Sequence, residues 1–470
     1  MDLAAALDDP ALFAPHFAGA SWRAWRTLIR ALEAAPPEPG DLDRFRGLTG
    51  RETWPQTRPR ELWVAAGRRG GKTRIAAALA VHRAAFLDYR EHLAAGERAT
   101  CALIATDRQQ ARVAMRYVRG FLHSIPLLAG TVERETAESI DLTNGTTIEV
   151  HTASLRSTRG YTLACVIADE VAFWRDESSA NPADEILAAL RPGLATIPGA
   201  PLVAVSSPYA KSGPLWETFR RYWGRDGADV LVVKAPTRAL NPRVPQSLID
   251  RALAEDPERA ASEYLAEFRA DVASFLDREV IEACTVPDRR ELPPVAGVRY
   301  VGFVDPSGGS ADAMTLAIAH AEGDGDAQRA VLDAVREVRP PFSPDAVVRD
   351  FAELLCTYRV REVTGDRYAG EWPRERFRAH GIDYVPSERV KSEIYREALP
   401  LLNAGRVELL DVPRLRAQLA GLERRTARGG RDSIDHGPGA HDDVANAACG
   451  ALVLAVGAPR HVARVYELVI

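Results

Sequence analysis

ELWVAAGRRGGKT, residues 61–73, decides the fold of the first half of the chain. An apolar run at 61–65 leads into a glycine-rich turn, and residues 74–89 then place apolar side chains at helical spacing. Strand, glycine turn and helix in this order are typical of a phosphate-binding loop, because backbone N–H groups and a helix N-terminus converge on an anion. We therefore predict a nucleotide-binding loop, in which Lys72 reaches the β and γ phosphates and Thr73 holds Mg²⁺. The loop residues are Gly67, Arg68, Arg69, Gly70 and Gly71.

The loop departs from the common pattern GxxxxGK[ST] at its first position. That pattern requires a glycine at position 66, where this chain has Ala66, and the glycine is instead Gly67. Alanine fits there if its φ is negative. Several arginines are candidates for the residue that stabilises the transferring phosphate, and Arg159 is predicted to be catalytic. The other candidates are Arg68, Arg69 and Arg156.

Acidic and hydroxyl residues follow two later strands. The apolar run 163–168 ends in Asp169 and Glu170. One carboxylate can bind the magnesium shell while the next orients or deprotonates the attacking water. After the run 202–205, Ser206 lies where a γ-phosphate sensor is expected. The alternatives are that the acidic pair only caps a buried strand and that Ser206 belongs to an ordinary turn.

The length of 470 residues indicates two to three domains. Near-continuous apolar strands alternate with helices in residues 1–234, which together with the glycine loop predicts a P-loop ATPase domain of RecA/ASCE-like α/β fold with a mainly parallel sheet. Within it, 1–60 is a helical preamble, and Asn144-Gly145 predicts a hairpin turn. Residues 235–275 are interpreted as a linker with a bridging helix at 245–268. Residues 276–470 predict a second α/β domain.

Aspartates in the second domain stand where a metal-dependent nuclease needs carboxylates. Asp305 ends the strand 301–305, Asp366 follows the run 360–364, and Asp442 and Asp443 precede an apolar helix at 444–456. Phosphodiester cleavage with two Mg²⁺ ions needs carboxylates that converge from separate elements. Two strand ends and one helix start predict an RNase H-like nuclease. Taken singly, each aspartate is also compatible with a turn or cap.

Composition sets wider limits. The net charge of −5, from 60 basic and 65 acidic residues, leaves room for a local basic groove. Neither a membrane-spanning apolar run nor a signal peptide is present, so a cytoplasmic location without membrane contact is expected. The five scattered cysteines are interpreted as free thiols.

Four segments resemble the large terminase subunit of tailed bacteriophages, prophages and gene transfer agents, in that family's order and over nearly the whole chain. They are 67–73, 166–170, 206–213 and 441–443. The resemblance implies ATP-driven translocation of double-stranded DNA into a procapsid and endonucleolytic cleavage of concatemeric DNA. It implies ATP and Mg²⁺ as cofactors, with Mn²⁺ as an alternative at the nuclease. It also implies a ring, of five subunits, that binds the portal protein and a small terminase subunit.

The resemblance further implies site residues in the second domain. Asp305, Asp366 and Asp443 would be the principal metal ligands, with Asp442 or Asp312 auxiliary. We interpret His436 and His441 as turn residues, since Mg²⁺ prefers oxygen ligands. Candidate contacts to the DNA backbone are Lys391, Arg396, Arg406 and Arg367.

Two other functions are compatible with parts of the pattern. One is a helicase-like DNA translocase without nuclease activity, although a helicase needs a second RecA-like lobe and the region after residue 273 begins with hairpin strands. The other is an inactive prophage remnant that binds the portal, against which the intact Lys72, Glu170 and three aspartates argue.

Overall fold

The structure, a computed structural model, describes residues 1–153, 160–174, 182–309, 312–325, 328–366, 372–426 and 432–457. These residues form two compact units, which meet in the chain between Ala273 and Ser274. None of the helices in the described ranges combines the length and apolarity that crossing a bilayer requires.

The first unit contains an eight-stranded sheet. Its strands are β1 (Glu61–Ala66), β2 (Ala99–Ala105), β3 (Val132–Glu135), β4 (Ser139–Leu142), β5 (Thr146–Thr152), β6 (Thr162–Asp169), β7 (Leu202–Ser206) and β8 (Val230–Ala235). The order is β3-β4-β5-β2-β6-β7-β1-β8, and pairing is parallel from β5 to β8. The predicted mainly parallel sheet and the hairpin of β4 with β5 are therefore confirmed.

Helices cover both faces of this sheet. They are α1 (Leu3–Asp8), α2 (Arg23–Leu32), α3 (Asp41–Thr49), α4 (Lys72–Phe86), α5 (Arg108–Ser124), α6 (Pro126–Ala129), α7 (Pro182–Leu190), α8 (Gly213–Tyr222), α9 (Thr237–Leu240), α10 (Gln246–Glu255) and α11 (Pro257–Leu265). In β1, Leu62 and Val64 enter one apolar cluster while Trp63 and Ala65 enter another. Burial on both faces explains why these strands are apolar throughout.

Residues 245–268 form two helices where one bridging helix was predicted. Helix α10 ends before Asp256, whose side chain accepts a hydrogen bond from the N–H of Arg259 at 3.2 Å and so caps α11. Pro257 is the first residue of α11. Proline disfavours helical geometry in the residue before it, which breaks the helix at this point.

The second unit is built on a seven-stranded mixed sheet. Its strands are β10 (Thr285–Val286), β11 (Tyr300–Asp305), β12 (Met314–Glu322), β13 (Arg329–Val338), β14 (Glu362–Gly365), β15 (Asp383–Pro386) and β16 (Val407–Leu410), in the order β10-β16-β13-β12-β11-β14-β15. Strands β11, β12 and β13 pair antiparallel, and β14 and β15 continue from β11 in parallel. This arrangement confirms the predicted RNase H-like class.

The remaining strands are β9 (Val272–Ser274), at the boundary between the units, and the hairpin of β17 (Leu422–Thr426) with β18 (Asp432–His436).

One apolar helix positions the end of β11 in the second unit. The helices are α12 (Arg278–Cys284), α13 (Pro344–Thr357), α14 (Trp372–Ala379), α15 (Lys391–Asn403), α16 (Pro413–Ala420) and α17 (Asp443–Gly457). A Cβ on Gly450 of α17 would lie 2.4 Å from the ring of Phe303 in β11, so this close approach requires glycine. The Thr315 hydroxyl of β12 donates to the Asp443 carbonyl at 2.7 Å. The first contact holds the middle of α17 against the sheet, and the second holds its start.

Candidate functional site

The glycine loop begins one residue later than the common pattern requires. Ala66 is the last residue of β1, in register with Ala235 of β8, and its φ is not positive. Gly67 then makes the close approach, since a Cβ there would lie 2.3 Å from the Thr237 hydroxyl oxygen. Gly71 has a φ of +84°, a left-handed conformation that favours glycine. Alanine at position 66 is thus compatible with a phosphate loop.

Side chains outside the loop hold three of its carbonyls. The Thr237 hydroxyl donates to the Arg68 carbonyl at 2.8 Å, and the Asn241 amide donates to the Arg69 carbonyl at 3.0 Å. The indole N–H of Trp25 donates to the Gly70 carbonyl at 2.6 Å. The loop is therefore fixed on its carbonyl side. Sequence reasoning missed these three residues, because nothing local in the sequence links α2 or α9 to the loop.

Arg68, one of the predicted loop residues, has protein partners for both its backbone amide and its side chain. The Arg68 N–H donates to the Glu263 carbonyl at 2.6 Å, so this amide is already occupied. Its guanidinium lies 3.6 Å from the Glu263 carboxylate, and the side chains of Arg68 and Arg69 are both exposed. Arg156 and Arg159, the other two candidates, lie outside the described residues.

The structure brings the predicted cationic, hydroxyl and acidic residues of the first unit together. Lys72 is buried, and its ammonium lies 3.2 Å from a Glu170 carboxylate oxygen and 2.9 Å from the Ser207 hydroxyl. The Thr73 hydroxyl donates to Asp169 at 2.9 Å. Strand β7 lies between β6 and β1, so Ser206 and Ser207 lie beside both the acidic pair and the loop.

Glu170 is held in an unusual conformation. Its φ of +53° is left-handed, which costs a non-glycine residue free energy, and such strained residues tend to cluster at functional sites. Its carboxylate accepts from the Ser207 N–H at 2.9 Å and from the Ser206 hydroxyl at 3.1 Å. Glu170 is therefore fixed beside Lys72, and simple capping of β6 does not account for this geometry.

Asp169 fits a divalent cation. Its side chain is 4% exposed, and its Oδ1 atom has no hydrogen-bond partner in the part of the chain that the structure describes. Burial, with the nearby charge of Glu170, raises the pKa of Asp169 to about 6. A cation would satisfy the unpartnered oxygen and favour the charged carboxylate. Thr73 and Asp169 are suitable as ligands of Mg²⁺.

In the second unit, three predicted aspartates occupy converging elements. Asp305 ends β11, opposite Thr315 of β12. Asp366 follows β14, and its N–H donates to the Val304 carbonyl at 3.2 Å. Asp443 begins α17, which Thr315 holds. The predicted combination of two strand ends and one helix start is present in the fold.

These carboxylates are close enough to perturb one another. Burial raises the pKa of Asp305 to about 8, and the charges of Asp443, Asp366 and Asp442 add to this, against a hydrogen bond from the Asn446 amide at 2.8 Å. Burial, with Asp442 next to it, raises the pKa of Asp443 to about 6. The Oδ2 atom of Asp443 is buried with no hydrogen-bond partner among the described residues. Crowded carboxylates with an unpartnered oxygen fit a divalent metal.

Asp442 differs from Asp443, its neighbour in the chain. Its carboxylate, 4% exposed, accepts from the Tyr395 hydroxyl at 2.8 Å and lies 3.1 Å from the Lys391 ammonium. Asp442 is therefore satisfied by protein groups, whereas Asp443 is not. Asp312 is exposed and lies 3.8 Å from His441.

One compact group of potential ligands lies beside this centre. Within the described ranges, Asp435, His436 and Asp442 are the three residues whose ligand atoms all lie within 4.8 Å of one another. The oxygens of Asp305, Asp366 and Asp443 are spaced more widely. His436 is the last residue of β18, so its interpretation as a turn residue is wrong: the hairpin pairs it with Leu422.

The predicted DNA contacts of this unit already have protein partners. Lys391 contacts Asp435 and Asp442, Arg396 donates to the Asp432 carbonyl at 3.3 Å, and Arg406 donates to the Gln328 carbonyl at 2.8 Å. Arg367 lies outside the described residues.

A basic helix face in the first unit was missed. Helix α5 contains four arginines and no acidic residue. Spacings of four, four and three residues place them along one face of the helix. Arg108, Arg112 and Arg116 are exposed and have no ion pair within the described ranges, whereas Arg119 pairs with Glu135. The arginine spacing in RQQARVAMRYVRGFLHS was the signal in the sequence that could have revealed it.

Comparisons with known proteins give a likeness in fold. No protein-family model and no curated protein matches the chain. The HK97 bacteriophage large terminase is 16% identical over 84% of this chain and 91% of that chain, with a TM-score of 0.37. The large terminase of a thermophilic bacteriophage, in complex with ATP-gamma-S, is 12% identical over 92% of this chain and 98% of that chain, with a TM-score of 0.38. The large terminase nuclease of thermophilic phage G20c with bound magnesium is 17% identical over 38% of this chain and 95% of that chain, with a TM-score of 0.31.

Proposed function

We propose that this chain is a large terminase subunit that hydrolyses ATP to translocate double-stranded DNA and cuts that DNA with a metal-dependent nuclease. The observation that carries the proposal is that each unit holds an acidic site with a buried carboxylate oxygen left unpartnered, at Asp169 and at Asp443. Only the first site also contains a glycine loop and a buried lysine. The two sites therefore have the composition of a nucleotide site and of a metal-dependent hydrolytic site.

In the first unit, Lys72 would bind the β and γ phosphates, and Thr73 with Asp169 would hold Mg²⁺, which offsets phosphate charge. Lys72 is paired with Glu170 in the structure. Phosphate oxygens would compete for the same ammonium, so ATP binding would release Glu170 to orient or deprotonate the attacking water. Ser206 and Ser207, which contact Glu170, would keep it near that position.

In the second unit, Asp305, Asp366 and Asp443 would hold Mg²⁺ or Mn²⁺. A metal bound there would polarise the scissile phosphate and supply hydroxide at neutral pH. Asn446 donates to Asp305 and so fixes the orientation of that carboxylate.

DNA would be bound in part by the basic face of α5. Phosphate contacts by arginine give affinity without sequence preference, which suits a motor that moves along any sequence. Assembly as a ring of five subunits on the portal, with a small terminase subunit and in the cytoplasm of a bacterial host, is proposed from the resemblance of the four sequence segments.

The proposal is tested with one variant for each site in the full chain. Glu170→Gln should lower ATP hydrolysis by about 100-fold or more and leave Mn²⁺-dependent nicking of plasmid DNA unchanged. Asp305→Asn should lower Mn²⁺-dependent nicking to a similar extent and leave ATP hydrolysis unchanged. ATP hydrolysis without any cleavage by the unaltered chain would favour the helicase-like translocase, and absence of both activities would favour the inactive remnant.

A further inference from the structure

A lysine occupies the one compact group of potential metal ligands found among the described residues. Lys391, the first residue of α15, has its ammonium 2.7 Å from Asp435 and 3.1 Å from Asp442. His436 completes the group of three. A positive charge supplied by the protein thus lies where Asp435, His436 and Asp442 would otherwise bind a cation.

We propose that Lys391 is a positioning residue that takes the place of a divalent ion between Asp435 and Asp442. The metal of the nuclease centre then binds through Asp305, Asp366 and Asp443. This inference rests on the nuclease function proposed above.

The surroundings of Asp442 explain why its charge needs a partner. Asp442 is almost fully buried and adjacent to Asp443, so two neighbouring carboxylates would repel each other in a poorly solvated site. Lys391 and Tyr395 lie one helical turn apart on α15 and both contact Asp442. Together they neutralise and orient this carboxylate. Of the two adjacent aspartates, Asp443 is then the one with a carboxylate oxygen that has no hydrogen-bond partner among the described residues.

Asp442 in turn holds the first turn of α17. Its carbonyl accepts from the Asn446 N–H at 2.7 Å, and the Asn446 side chain donates to Asp305 at 2.8 Å. Lys391 therefore acts on the metal ligands through Asp442 and Asn446, without contacting them. An ammonium needs no metal supply, so this part of the centre keeps its shape when the divalent ion leaves.

The test is the number of Mn²⁺ ions bound by the full chain, measured by electron paramagnetic resonance titration. Lys391→Gln should bind one more Mn²⁺ per chain than the unaltered protein, and Lys391→Arg should bind the same number. Adding Asp435→Asn to Lys391→Gln should remove the extra ion. Lys234→Gln, which removes a lysine paired with the exposed Glu267, is the matched control and should leave the number unchanged.

A second measurement follows the melting temperature. Without metal, Lys391→Gln should melt about 5 °C or more below the unaltered protein, because a buried carboxylate loses its counter-charge. Millimolar Mn²⁺ should remove most of this difference in melting temperature. It should not change the difference in melting temperature between Lys234→Gln and the unaltered protein. A Lys391→Gln variant that binds no additional Mn²⁺, or that stays unfolded with Mn²⁺ present, would overturn the proposal. If Asp305→Asn leaves Mn²⁺ binding by the otherwise unaltered chain intact, the nuclease proposal fails instead.

Discussion

The two acidic sites differ in how much of their negative charge the protein itself balances. In the first unit, Glu170 has an ion pair with Lys72 and two hydrogen bonds from serines, and Asp169 has one from Thr73. In the second unit, Asp305 has one hydrogen bond, from Asn446, and neither Asp305 nor Asp443 has an ion pair among the described residues. A basic residue close to that centre, Lys391, is engaged by Asp435 and Asp442.

This difference indicates how each site is completed. Under the proposed function, a nucleotide would bring phosphates and its own Mg²⁺, so protein groups that later exchange partners can organise the first site in advance. In the second site, repulsion between carboxylates helps to raise the pKa of Asp305 to about 8, and either a proton or a metal can relieve it. The first site is therefore expected to depend most on a lysine and the second on metal and pH.

The largest effect is expected from Lys72→Ala. The variant removes the charge that would bind phosphates and also leaves Glu170 without its ion pair. ATP affinity should fall about 100-fold, or roughly 3 kcal/mol, as measured with a fluorescent ATP analogue. Mn²⁺ binding by the second unit should not change.

Lys234→Ala is the control for Lys72→Ala, since it removes a lysine of β8, the strand that pairs with β1, and the partner of this lysine is exposed. It should leave ATP affinity within about twofold of the unaltered value. Equal losses in both variants would mean that Lys72 acts through stability of the sheet and would remove the contrast between the two sites.

The next effect is a coupling of protons to metal at Asp305. Because the folded-state pKa is about 8 and the ordinary value is 3.8, the metal-free carboxyl is protonated at pH 7 and must lose this proton when metal binds. Mn²⁺ affinity should rise about tenfold from pH 6.5 to 7.5, with release of about one proton in calorimetry. Asp305→Asn should bind more weakly and lose most of this pH dependence.

The same shift has a consequence for stability without metal. A carboxyl whose pKa is raised in the folded state binds more protons there than in the unfolded chain, so folding is weakened as pH rises from about 4 through about 8. Urea unfolding in chelator should show this loss, and Asp305→Asn should reduce it. A stability that rises over this range by the same amount in both proteins would contradict the assignment.

Much of the fold followed from local patterns in the sequence. Apolar runs ending in glycine or aspartate marked the strands, and the Asn144-Gly145 turn marked a hairpin that the structure contains. The sequence contains a signal for the break between α10 and α11, which is Pro257 after Asp256. Helical periodicity on both sides of this proline led to the prediction of a single helix. Strand order was predicted only in general terms, since it depends on packing between distant segments.

The sites show where local patterns stop being informative. Residue types at strand ends and helix starts were enough to predict Lys72, Asp169, Glu170 and the three aspartates as candidates. The choice between Asp442 and Asp443 depends on which of them faces Lys391 and Tyr395 on another helix. The residues that hold the glycine loop likewise come from segments distant in the sequence.

The smallest effect, and the most direct test of how fixed the first site is, is expected from Trp25→Phe. Trp25 is buried and its N–H donates to the Gly70 carbonyl, so phenylalanine keeps an aromatic ring but leaves a buried carbonyl without its partner. The loss should cost about 1 kcal/mol and raise the KM for ATP about fivefold, with kcat little changed. Trp63→Phe is the matched control, since it loses similar volume and a hydrogen bond to Glu61 at 2.7 Å, away from the loop. If both variants raise the KM equally, lost packing is the cause; if only Trp25→Phe does, the loop needs its carbonyls held before ATP arrives.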